Sequence, residues 1–142
     1  MVDQVSNTVA IPLQRNRARA FTLIELVVTV ALVGIVAAIA YPAYVTQVVK
    51  GNRSAAQQFM LDIATAQAQY QIDARSYTAV IGTGGLNLSP TSAASSNYTF
   101  AITLTAGPPP GYLIIATPSG RQAQDGALTL DSNGSKTPAN KW

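Results

Sequence analysis

From Phe21 to Tyr41 the chain runs for 21 residues with Glu25 as its sole charge, and this stretch limits what the protein can fold into more than any other. At about 1.5 Å of rise per residue, a helix of that length covers the roughly 30 Å hydrocarbon core of a bilayer. Arg15, Arg17 and Arg19 stand immediately before it, whereas Lys50 and Arg53 come well after it. The positive-inside rule therefore predicts a cytoplasmic N-terminus, with everything beyond about residue 45 extracytoplasmic.

A secretory signal peptide has a similar outline: basic residues, an apolar run, then Ala38-Ile39-Ala40 as an A-x-A site before Tyr41. Glu25 argues against that reading. An intramembrane carboxylate costs on the order of 2.5–3.5 kcal/mol when central, which an ordinary signal sequence has no reason to bear. The amphipathic pattern that continues past Tyr41 also favours one unbroken helix.

Composition narrows the function classes. The 142 residues are 48% hydrophobic and 11% charged, which suits one small folded unit plus a membrane segment. Of the net charge of +3, Arg15, Arg17 and Arg19 against Asp3 supply +2, so the remainder is nearly neutral and the basic balance is poor evidence for nucleic-acid binding. Cys and His are both absent. That excludes disulfides, thiolate or imidazole metal sites and Cys/His nucleophile pairs, and the reading is of a non-enzyme with no cofactor and no metal. The GTGG run at 82–85 has no following Lys-Ser/Thr and so is not a phosphate-cradling loop.

Gly34 and Pro42 are helix weakeners that lipid-embedded helices accept, and they mark candidate bend points. Beyond Pro42, the residues Tyr41, Val48, Asn52, Ala55, Phe59, Ile63, Ala66 and Tyr70 fall close to one line at 100° per residue, giving an apolar helix face to about residue 72. Residues 73–97 are rich in Gly, Ser, Thr and Ala and read as a long surface connection. YTFAITLT (98–105) alternates Tyr98, Phe100, Ile102 and Leu104 with smaller residues, as a half-buried strand does. YLIIATP (112–118) gives a second strand after the proline turn AGPPPG. GALTLDSNGSK (126–136) gives a third, with Leu128 and Leu130 inward and Asn133-Gly134 as a hairpin-type turn. The fold class is thus α+β: a long N-terminal helix, membrane-spanning in its first half, packed by its second half on a small antiparallel sheet.

The segment AFTLIELVVTVALVGIVAAIAYPAY resembles the N-terminal region of type IV prepilins, with a basic leader, cleavage before Phe21 and glutamate at the fifth mature position. The resemblance implies cleavage between Ala20 and Phe21 by prepilin peptidase and N-methylation of Phe21. It divides the chain into a leader (1–20), a transmembrane and filament-core helix (21–42) and an extracytoplasmic head (43–142). The family usually has Gly where this chain has Ala20. A lone ammonium and a lone carboxylate in apolar surroundings each need a partner. Residues four apart share a helix face, so the Phe21 amine and Glu25 could pair within one chain or between subunits. The resemblance implies the latter, with Glu25 docking an incoming subunit, and loss of helical order near Pro42 in the filament.

The motifs YLIIATP, DGALTLDSNGSK and the final Trp142 also resemble the PilE-like minor pilins and the related DNA-receptor minor pilin ComP. Relatives commonly carry a Cys near Gly126 or Ala127 and another at the place of Lys141, so their disulfide is missing here. The expected role is a pilin or minor pilin. It would lie in the inner membrane before assembly and in an extracellular pilus afterwards, partnered by other pilin subunits, for twitching motility, adhesion or DNA uptake. The alternatives are a DNA-receptor minor pilin, with Arg75, Arg121, Lys136 and Lys141 as candidate phosphate contacts, and a secretion pseudopilin. Four scattered cations are also what an ordinary solvated surface carries.

Overall fold

The computed structural model describes residues 21–142, so the leader 1–20 and Ala20 lie outside the described residues. Helix α1 runs from Leu23 to Ala74. It opens on Thr22, whose Oγ1 accepts a hydrogen bond from the Glu25 backbone N–H at 3.2 Å, so Glu25 stands at the third helical position behind a threonine cap, where an acidic residue also complements the helix dipole. Among the described residues α1 is the one helix long and apolar enough to cross a membrane. It continues through Gly34 and Pro42 without interruption.

The chain forms two units, one ending at Ile39 and one spanning Ala40–Trp142. Every described residue of the first unit is exposed. The second has its own core. There a four-stranded antiparallel sheet has the order β1 (Tyr98–Thr105), β2 (Gly111–Pro118), β3 (Leu128–Asp131), β4 (Lys136–Thr137). Tyr98 pairs with Pro118 and Thr105 with Gly111, so β1 and β2 are in register over their full length. The β3–β4 turn is closed by Asp131, whose carboxylate accepts the backbone N–H groups of Asn133 (2.9 Å) and Ser135 (2.7 Å), with Gly134 at φ 81°, a conformation that favours glycine.

The core joins Phe59, Met60 and Ile63 of α1 to Tyr98 and Ile102 of β1, Tyr112, Ile114 and Ala116 of β2, and Leu128 and Leu130 of β3. Phe59 meets Phe100 edge-on, with ring centroids 4.8 Å apart. Phe59 and Ile63 sit as their periodicity predicts. The buried line nonetheless runs through Ala56, Met60 and Gln67, half a position around from the expected one, and Tyr41 and Val48 are exposed at 64% and 42%. The reason is coverage: hydrogen bonds from the C-terminal elements to side chains of α1 begin at Asn52 and Arg53, and full burial only at Ala56. Leu104, expected on the inward side of β1, is 45% exposed.

The larger departure is at 73–97, which is not simply a surface connection. Leu86, Ala94 and Thr78 are buried, Tyr77, Ile81 and Leu88 pack against the core, and a short helix α2 (Ser92–Ser95) precedes β1. Gln67, fully buried on α1, holds this segment at both polar groups of one residue: its Nε2 donates to the Thr78 carbonyl and its Oε1 accepts the Thr78 N–H at 3.1 Å. The chain then reverses with Leu86 N–H donating to the Val80 carbonyl at 3.0 Å. A Cβ at Gly85 would overlap that carbonyl, so only glycine fits.

Candidate functional site

Two polar constellations stand out in this apolar chain. The first lies in the helix at its N-terminal end. Glu25 is exposed, four residues from Phe21, which is 82% exposed. Its main chain is fully used: the N–H bonds Thr22 and the carbonyl accepts the Thr29 hydroxyl at 2.7 Å. Its carboxylate makes no ion pair or side-chain hydrogen bond among the described residues. Around it Leu23, Ile24, Leu26, Val27 and Val28 are all exposed. The arrangement is a single acceptor in an uncovered apolar surface, and an apolar surface of this extent marks a membrane or protein contact.

The second constellation is buried in the other unit and was not legible in the sequence. Asp125, at the end of the 3-10 helix Gly120–Asp125, is 6% exposed. Arg53 of α1 grips its carboxylate with Nε at 2.7 Å and with Nη2 on the other oxygen. The Tyr98 hydroxyl of β1 donates to it at 2.8 Å and Gln122 Nε2 lies at 3.3 Å, while Lys141 Nζ stands 3.9 Å away. Hydrogen bonding to Arg53 holds the Asp125 carboxyl below the usual carboxylate range against the opposing effect of burial. Burial first, then the bond to Asp125, pushes the Tyr98 hydroxyl up to about 12. No buried side-chain polar atom is left unpaired among the described residues. This is a fully satisfied junction that ties α1, β1, the 3-10 turn and the tail together, and it offers no poised nucleophile or open acid.

The four candidate phosphate contacts sit on or beside four different elements. Arg75 is exposed at the C-terminal end of α1, in a left-handed conformation at φ 53°. Arg121 is exposed in the 3-10 turn. Lys136, on β4, lies over the Trp142 ring at 4.8 Å, and Lys141 is drawn inward to Asp125. Among the described residues no group of three or more His, Cys, Asp or Glu is placed to hold a metal.

Comparison with known proteins accounts for residues 15–130 of this chain. The prokaryotic N-terminal methylation motif matches residues 15–41, and the family described as type IV minor pilin ComP, DNA uptake sequence receptor, matches residues 42–130. The type IV wide pilus major component PilA4 of Thermus thermophilus is 33% identical over 108 residues, covering 74% of this chain and 77% of that protein. The chain belongs to the type IV pilin family. The long N-terminal helix and small antiparallel sheet are the expected pilin architecture, and membership implies prepilin processing and assembly with other pilin subunits.

Within this pilin, the place where the resemblance put a disulfide carries an electrostatic substitute. Lys141 Nζ lies 3.4 Å from where a Gly126 Cβ would sit and 3.9 Å from Asp125 Oδ1. The Lys141 carbonyl accepts a 2.6 Å bond from Gln57 of α1. The tail of the pilin is thus tied to both the helix and the junction without a covalent link.

Proposed function

We propose that this pilin is cut between Ala20 and Phe21 by prepilin peptidase and methylated on the new Phe21 amine. It is held in the inner membrane with its N-terminus cytoplasmic, and then incorporated into an extracellular type IV pilus serving twitching motility, adhesion or DNA uptake. Residues 1–20 act as leader, 21–42 as membrane and filament-core helix with Gly34 and Pro42 as its bend points, and 43–142 as the head. It works as a structural subunit and not as an enzyme. The observation that carries this reading is Glu25: a carboxylate without a side-chain partner among the described residues, four residues from the future amine, in an exposed apolar helix surface. Burying that surface in a filament leaves the carboxylate and the Phe21 amine of a neighbour to neutralise each other. Intact-mass and N-terminal analysis of the mature chain tests it. The expected product begins at methylated Phe21, and a product beginning at Tyr41 would return the chain to the secretory class.

A second reading, a DNA receptor of natural transformation, is favoured by the match of residues 42–130 to a family described as a DNA uptake sequence receptor. Arg75, Arg121 and Lys136 are its candidate phosphate contacts; Lys141 is a weaker one because it already faces Asp125. So few dispersed cations support weak, salt-sensitive binding. Gel retardation of duplex DNA at physiological salt tests it, and sequence-selective retardation would raise this reading above the purely structural one. Secretion loss without loss of surface filaments, in a strain lacking the chain, would instead indicate a pseudopilin.

A further inference from the structure

A solvent-open groove of about 390 Å³ begins three residues beyond the apolar stretch. Tyr44, Val45, Val48 and Val49 of α1 form its apolar side, and Arg121 closes the polar side. The amides around it are already paired: Asn52 Nδ2 bonds Gln122 Oε1 at 3.3 Å, Gln122 Nε2 bonds the Val49 carbonyl at 3.0 Å, and Asn97 Nδ2 bonds the Ala93 carbonyl at 2.8 Å. Arg121 is exposed and makes no ion pair or side-chain hydrogen bond among the described residues. It also lines a second, adjoining depression with Val45, Thr46, Val49, Gln124 and Asp125, whose carboxylate is already held by Arg53. Lys50, exposed, stands one helical turn beyond Thr46.

We infer that this groove holds the phosphate headgroup of an anionic phospholipid while the pilin is membrane-anchored, with Arg121 on the phosphate and Tyr44 and Val45 against the glycerol region below it. Chain length sets the depth. The span ends at Tyr41, and a helix advances about 1.5 Å per residue, so Tyr44 to Val49 lie about 5–12 Å beyond it; the headgroup region is about 5–8 Å thick on each side. Tyr41 and Tyr44, 64% and 69% exposed, are residues of the kind found at that boundary. Charge selects the lipid: a guanidinium matches a phosphate in fork geometry, and Arg121 with Lys50 adds an attraction for anionic headgroups. The site rests on the anchored state proposed above.

The test places the full chain in nanodiscs of phosphatidylcholine containing a minor fraction of phosphatidylglycerol. The relative association of spin-labelled phosphatidylglycerol and phosphatidylcholine is then read from their motionally restricted fractions. Arg121→Gln is expected to lower the preference for phosphatidylglycerol by about fivefold. Arg121→Lys should retain much of it, and Arg75→Gln should leave it unchanged. Equal preference in Arg121→Gln and Arg75→Gln overturns the site and leaves the anchored state standing. Failure of the chain to enter the nanodiscs overturns both. Duplex DNA retardation that is lost in Arg121→Gln, without any lipid effect, would assign the groove to nucleic acid and overturn the proposal.

Discussion

Arg53 and Asp125, 72 residues apart in the chain, form a two-pronged ion pair in which Asp125 is almost wholly buried and Arg53 about one-fifth exposed. It fastens α1 to the turn before β3 at the point where the sheet begins to cover the helix. Removing one partner of such a pair leaves the other charge buried without a counterion, a larger effect than the net value of the pair itself.

Asp125→Asn is therefore expected to destabilise the pilin by on the order of 3 kcal/mol, seen as a fall in melting temperature of more than about 10 °C. The double variant Arg53→Met/Asp125→Leu should lose less than Asp125→Asn alone, because no charge is stranded. Equal melting temperatures for wild type and Asp125→Asn would show that the junction contributes nothing.

The same junction sets two pH limits. The folded state lowers the Asp125 pKa, so its contribution is complete above the ordinary value of 3.8 and is lost as pH falls below that. Tyr98 is raised from 10 to about 12, so its contribution is complete below pH 10 and is lost as pH rises towards 12. Urea midpoints measured across pH should decline on both limbs, with Asp125→Asn flattening the acid limb and Tyr98→Phe the alkaline one. A Tyr98→Phe profile superimposable on wild type above pH 10 would contradict this assignment.

Gln67→Leu removes both bonds to Thr78 while keeping side-chain volume, leaving a buried N–H and carbonyl unpaired. The expected cost is about 2–4 kcal/mol, and residues 73–97 should become a preferred site of limited proteolysis. Unchanged cleavage would mean that the segment is held by its apolar contacts alone.

Trp142 is half-buried against the core, with its Nε1 donating to the Thr137 carbonyl at 3.4 Å and Lys136 over its ring. Trp142→Ala should lower the melting temperature by several degrees, corresponding to roughly 1–2 kcal/mol. Reductant should leave wild type unaffected, since the chain has no cysteine. An unchanged Trp142→Ala melting curve would reassign the ring to contact with another subunit.

Glu25→Val makes the helix more apolar, so membrane insertion should be retained while recovery in sheared filaments falls at least tenfold, about 1.4 kcal/mol of docking free energy or more. Equal recovery of variant and wild type would show that the carboxylate is merely tolerated.

The sequence by itself determined what rests on local pattern. A 21-residue apolar stretch holding one carboxylate specifies a membrane-length helix, alternation at 98–105 and the run after the proline turn at 112–118 specify two strands, and Asn133-Gly134 specifies their hairpin neighbour, because each signal is complete within a few residues of chain. Only the tertiary structure decided which groups meet over long separations. No local pattern marks Arg53, Asp125 or Gln67 as members of a buried polar contact, and 73–97 reads as a long surface connection. Their burial depends on the partner that each finds 72 or 11 residues away, and a buried polar group is tolerable only once that partner is in place.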